Sequence, residues 1–158
     1  MEKQTVLILN KLAAVCSKKE KCSSEAFDYM MKHGCESQEE AFEAVEYLKN
    51  NKYIDDERFT RIFLSDKLRF NKWGKNKIAN ALRLKKIPQD IISRVFEEFY
   101  NLEDEKTILQ SELAKKLRGL KKDKSKSQIW QSLMRFCISR GYSIELSNSI
   151  IRELTKDI

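Results

Sequence analysis

Four residues near the start of the chain, Cys16, Cys22, His33 and Cys35, carry the side chains of a zinc site. Their spacings, Cys-x5-Cys and His-x-Cys, lack the tight Cys-x2-Cys pair that clasps a tetrahedral ion. Small buried thiols are expected instead, because Cys16, Cys35 and Cys137 fall on apolar helical faces. The run Asp55-Asp56-Glu57 offers carboxylates for metal-assisted or acid–base chemistry. Consecutive helical residues point about 100° apart, so these three do not converge on one ion. They read better as a helix start. Asp55 would accept from free amides of the first turn, and all three acids face the positive end of the macrodipole. His33 is the only histidine, near a helix end, where it reads as a surface residue rather than an acid–base catalyst. A serine or cysteine triad would have to use His33, which nothing in the sequence supports, and no glycine loop could cradle a phosphate. The chain is therefore not expected to be an enzyme, and no cofactor or metal is expected.

The residues that remain are cations. Lys67, Arg69, Lys72, Lys75, Lys77, Arg83, Lys85 and Lys86 follow one another with no acid between Asp66 and Asp90. Such a run lacks local neutralisation and suits a polyanion or an acidic groove, the rival being a solvated helix face. Phe70 and Trp73 lie within it. Core burial is the first expectation for both, and stacking on a base is the alternative. Lys115, Lys116, Arg118, Lys121 and Lys122, with Lys124 and Lys126, form a second basic stretch around a serine-containing loop. The net charge of +7 is uneven: residues 1–52 sum to −1, and residues 53–100 and 101–158 each sum to +4.

The elements that must hold these side chains are helices. One proline and four glycines in 158 residues leave few breakers, and 35% charged residues suit long exposed helix faces. Apolar spacing predicts nine helices and an all-α fold. The first covers about 4–17, with Val6, Leu9, Ala13 and Cys16 inward and Leu7, Ile8, Leu12 and Val15 widening the face. The second follows Ser23 or Ser24, turns Phe27, Met30 and Met31 inward and ends at Gly34. Ser37-Gln38-Glu39-Glu40 has capping-box spacing and opens a third with Phe42, Val45 and Leu48 inward. The fourth starts at Asp55 and carries Phe59, Ile62 and Phe63; the fifth carries Ile78, Ala81 and Leu82. Pro88 opens a sixth with Ile91, Val95 and Phe99. After an acidic opening at Glu103-Asp104-Glu105, the seventh carries Ile108, Leu109, Leu113 and Leu117 and can close at Gly119. The eighth carries Ile129, Trp130, Leu133 and Cys137 and can close at Gly141. Ser143 caps the ninth, with Leu146, Ile150 and Leu154 inward.

This order repeats. Take Ile87 and Tyr142 as equivalent points. The apolar set Ile91, Val95, Phe96 and Phe99 then matches Leu146, Ile150, Ile151 and Leu154. Cys35 takes the same place in the first segment, where the third helix is expected about two residues later. Three tandem three-helix repeats follow, at 1–52, 53–101 and 102–158, in an elongated, curved array. About 50 residues bury little alone, so neighbouring repeats must support one another. The apolar run at Val6 to Leu9 is too short for a signal segment or a membrane span. A cytoplasmic monomer with reduced thiols and no membrane association is expected.

Tyr53-Ile54-Asp55-Asp56-Glu57-Arg58-Phe59 resembles the central signature of the RecX regulatory proteins. So do Gly74-Lys75, Lys77-Ile78, Leu82 and Lys85-Lys86-Ile87. The resemblance implies three three-helix repeats and structural roles for Tyr53, Asp55, Asp56, Phe59, Gly74 and Leu82. It further implies a protein that binds the filament of the RecA recombinase on DNA and inhibits strand exchange, ATP hydrolysis and co-protease action. That would modulate DNA repair and the SOS response, with weak contact to single- or double-stranded DNA. Where the family usually has glycine before the apolar residue at Ile87, this chain has Lys86, so the helix ending there is expected to differ. A helix-turn-helix DNA-binding regulator acting without RecA is the alternative reading.

Overall fold

The computed structural model describes residues 1–120 and 122–158. Among the described residues it holds nine α-helices and no strand. They are α1 (Lys3–Lys18), α2 (Ser23–Lys32), α3 (Gln38–Asn50), α4 (Asp56–Arg69), α5 (Lys75–Leu84), α6 (Gln89–Phe99), α7 (Leu102–Gly119), α8 (Lys126–Ser139) and α9 (Ile144–Thr155). Packing divides the chain into two compact units. One comprises Met1–Ile62 with Leu82–Val95, the other Phe63–Ala81 with Phe96–Ile158.

The first unit is built on α1, α2 and α3. The buried stripe of α1 is Thr5, Ile8, Leu9 and Leu12, the i, i+3, i+4, i+7 spacing of one helical face. It packs with Ala26 and Met30 of α2 and Ala41, Ala44, Val45 and Leu48 of α3. The stripe centres on Thr5, so Val6 and Leu7, expected inward or flanking, face outward. Thr5 is tolerated in the core because its hydroxyl donates to Glu40 Oε2 at 3.1 Å. The predicted capping box of α3 forms by half. The Glu40 amide donates to Ser37 Oγ at 3.3 Å, but the Glu40 carboxylate turns to α1 and accepts from the Glu2 amide as well as from Thr5. A carboxylate at the amide end of α1 also meets that helix's positive pole. Phe42, expected inward, is 59% exposed, its ring held 4.7 Å from Phe27.

The second unit buries Leu109 and Leu113 of α7, Ile129, Leu133, Met134 and Cys137 of α8, and Ile150 and Ile151 of α9, around Tyr142. Each of these helices is capped. Asn101 Oδ1 accepts from the amides of Glu103 and Asp104 at 2.9 and 3.1 Å. Ser125 and Gln128 close a reciprocal capping box, and Ser143 Oγ accepts from the Leu146 amide at 3.2 Å. Phe99 and Trp130 here, and Ile62 in the first unit, all expected inward, stand partly exposed, because their helices bury neighbouring positions such as Phe96, Ile129 and Phe59.

The repeat is visible in how α2, α5 and α8 end. Gly34, Lys86 and Gly141 take positive φ of 108°, 60° and 91°. The next amide in each case, of Cys35, Ile87 and Tyr142, donates back five residues to Met30, Leu82 and Cys137 at 3.0, 3.2 and 3.1 Å. This is the Schellman closure, with a buried residue following the left-handed one. The three points equated from sequence alone are thus the same structural position. Lys86 adopts the conformation a glycine would have supplied, so the ending expected to differ is preserved. The helix after Cys35 starts one residue later than its two counterparts, at Gln38 against Gln89 and Ile144, rather than about two.

Candidate functional site

The acidic signature acts at a helix start. Asp55 Oδ1 accepts from the amides of Glu57 and Arg58, both at 3.0 Å, and so caps α4. Asp56 reaches the start of α2, where its two oxygens accept from Ser23 N and Ser23 Oγ, each at 2.8 Å. One carboxylate therefore sits at the positive ends of two helices. Arg58 binds Glu20 at 2.8 Å and donates to the carbonyls of Lys52 and Tyr53 at 3.4 and 3.2 Å. Phe59 and Leu82 are buried, and Tyr53 is on the surface. These side chains hold α2, α3 and α4 together in the first unit.

Among the described residues no three His, Cys, Asp or Glu side chains are grouped to hold a metal. Cys22, Cys35 and Cys137 are buried, Cys16 is half-buried, and His33 stacks on Tyr29 with ring centroids 3.9 Å apart. No helix among those residues is long and apolar enough to cross a membrane.

The basic run divides between the units. Arg83, Lys85 and Lys86 belong to the first, and Lys67, Arg69, Lys72, Lys75 and Lys77 to the second. Lys85 is engaged: its Nζ binds Glu25 at 2.8 Å and lies 6.0 Å from the centre of the Phe59 ring, while its carbonyl accepts from Ser24 Oγ. Burial alone would raise the Glu25 carboxyl, but Lys85 and the Cys22 amide outweigh it and hold the group below its ordinary range. Arg83 donates to Gln89 at 3.0 Å, and Lys86 is exposed.

The α4–α5 turn brings the second group together. Lys67 and Lys77 place their ammonium groups 4.9 and 4.6 Å from the centre of the Trp73 ring, which is half-buried between them. Lys75 lies 5.8 Å from the Phe96 ring. Lys72 bonds the Arg69 carbonyl, and Arg69 stands 3.8 Å from Asp104. Among the described residues Lys67, Lys72, Lys75 and Lys77 have no carboxylate partner. Phe70, expected in the core, is 80% exposed.

What positions this turn was invisible in sequence. The amides of Gly74 and Asn76, at the start of α5, donate to the carbonyls of Arg140 and Gly141, at the end of α8, at 2.7 and 3.0 Å. Orphan donors of one helix satisfy orphan acceptors of another. A Cβ on Gly74 would lie 2.7 Å from the Gly141 backbone, and one on Gly141 2.4 Å from the Lys77 amide. Tyr142 completes the contact by donating to the Lys72 carbonyl at 2.7 Å. Burial, with Glu105 and Glu112, pushes the Tyr142 phenol above its ordinary range, so it stays a donor.

In the later basic stretch Lys115 pairs with Glu112 at 3.8 Å, Lys116 lies 5.4 Å from the Phe136 ring, and Arg118 and Lys122 are exposed. Lys121 lies outside the described residues.

A family model described as the second three-helix domain of RecX matches residues 55–95. The regulatory protein RecX of Clostridium perfringens strain 13 is 36% identical over 117 residues, which cover 72% of this chain and 53% of that protein. The chain thus spans about half the length of the curated relatives it matches. Among solved structures, a crystal structure of regulatory protein RecX superposes with a TM-score of 0.81 at 16% identity, covering 98% of this chain and 74% of that one. RecX from Lactobacillus salivarius gives 0.76 at 17% identity, covering 98% of both chains. The shared fold accounts for the nine helices, and the matched domain contains the capped start of α4 and the turn that carries the lysines around Trp73. The chain belongs to the RecX family.

Proposed function

We propose that this chain is a regulator that binds the RecA filament on DNA and inhibits its recombinase, ATPase and co-protease activities, thereby modulating repair and the SOS response. It acts by occupancy, without chemistry of its own, in the cytoplasm and as a monomer. Three repeats, at 1–52, 53–101 and 102–158, form the binding body. Lys67, Lys72, Lys75 and Lys77 supply much of the attraction, with Arg69, Arg83, Lys85, Lys86, Lys115, Lys116, Arg118, Lys121 and Lys122 as further contacts to RecA or, weakly, to DNA.

The observation that supports this reading most is the cluster at the α4–α5 turn. The ammonium groups of Lys67 and Lys77 lie over Trp73, that of Lys75 over Phe96, and none of these or Lys72 has an acidic partner among the described residues. Lysines kept that way leave their charge available to phosphates or an acidic protein surface. The test is ATP hydrolysis by the cognate RecA on single-stranded DNA, titrated with this protein. Dose-dependent loss is expected, and an unchanged rate at saturating protein would overturn the reading.

A further inference from the structure

A second cationic aromatic site lies between α8 and α9, within the second unit. Lys126 and Trp130 are four residues apart on α8, Asn148 and Arg152 are four apart on α9, and Lys156 follows four residues on, just past the end of α9, so each helix contributes one face. Together with Thr155 they line one cleft of about 650 Å³. That is the size of a small-ligand site. Trp130 is 41% exposed, and its Nε1 donates to Asn148 Oδ1 at 3.3 Å, a bond from one helix to the other that fixes the ring in the cleft. The lining holds three cations and no acid. Lys156 shares its charge with Glu153 at 2.6 Å, while Lys126 and Arg152 have no carboxylate partner among the described residues.

The ligand must use both features. A bare anion would leave the indole face wet, and an apolar ligand would leave the cations unanswered. An unpaired nucleotide offers a π-face for the ring and a phosphate for Arg152 and Lys126. We propose that the α8–α9 cleft binds one unpaired nucleotide, its base on Trp130 and its phosphate on Arg152 and Lys126. None of these residues belongs to the family signature or to the turn around Trp73, and the site requires nucleic acid alone, not RecA.

Trp73 and Trp130 are the two tryptophans, so in a Trp73→Phe protein all indole fluorescence comes from Trp130. At low salt, a short oligothymidylate should quench it, and the duplex of the same sequence should quench it far less. Thymidine monophosphate quenching as strongly as the oligomer would assign the cleft to free nucleotides, which upholds the site. With labelled oligothymidylate and anisotropy, Arg152→Gln and Trp130→Leu should each weaken binding about tenfold, and Trp130→Phe should retain most of it. Arg152 is exposed, so Arg152→Gln should melt like the parent and stays informative even where Trp130→Leu fails to fold. Trp130 emission indifferent to oligomer and mononucleotide alike, or Arg152→Gln binding like the parent, would overturn the assignment. Neither result bears on RecA hydrolysis, so this proposal and the functional one fail separately.

Discussion

Asp56 shows how much one carboxylate does in this chain. Its two bonds to Ser23 are charge-assisted and join the starts of α2 and α4. Asp56→Ala should lower stability by about 2 kcal/mol, because two buried-edge donors lose their acceptor. Chemical denaturation should show this as a lower midpoint with an unchanged slope. Glu25 makes a pH prediction. Its carboxyl titrates lower in the folded chain than in the unfolded one, so near the ordinary glutamate range the unfolded chain binds more protons. The stability from the Glu25–Lys85 pair is therefore complete above that range and is lost as pH falls through the folded value. Glu25→Gln should flatten that part of the acid limb, measured as melting temperature against pH in parent and variant.

At the scale of elements, the recurring device is the helix that closes on a left-handed residue. Gly34 and Gly141 do this without strain, whereas Lys86 carries a Cβ at φ 60°. Lys86→Gly should stabilise the fold by about 0.5–1 kcal/mol, the relief of the left-handed conformation less the added freedom of the unfolded chain. A rise in melting temperature would be the readout. Gly141 is the opposite case. Its φ is 91°, and a methyl group would meet the Lys77 amide at 2.4 Å. Gly141→Ala should cost about 3 kcal/mol, since strain and overlap act at the one place where α8 receives the start of α5. A variant that melts like the parent would show that this contact is not made in solution.

For the whole molecule, the functional prediction is electrostatic. Binding to RecA on single-stranded DNA should weaken as salt rises. Lys75→Glu with Lys77→Glu should lower the salt slope by about 0.7 for each phosphate that is no longer neutralised. Filament affinity measured from low to moderate salt in parent and variant checks this. Equal slopes would place the phosphates away from the α4–α5 turn. The prediction does not depend on Lys85, whose ammonium is already held by Glu25.

Local patterns on the sequence were sufficient for the helices, their caps at Asp55 and Ser143, and the equivalence of Cys35, Ile87 and Tyr142, because each depends on residues within one or two turns. Position on the helix surface was less legible. A stripe shifted by one residue leaves composition almost unchanged, yet it moved Thr5 inward and left Phe42 and Trp130 at the surface, while Phe70 falls just past the end of α4. What only the tertiary structure decided is which charges are occupied. Glu40, Asp56, Glu25 and Arg58 find partners dozens of residues away, and Gly74 meets Gly141 across 67 positions of chain. Spacing along a helix cannot foretell such pairings, since chain closure brings them together. They separate the lysines that hold the fold from those left to hold something else.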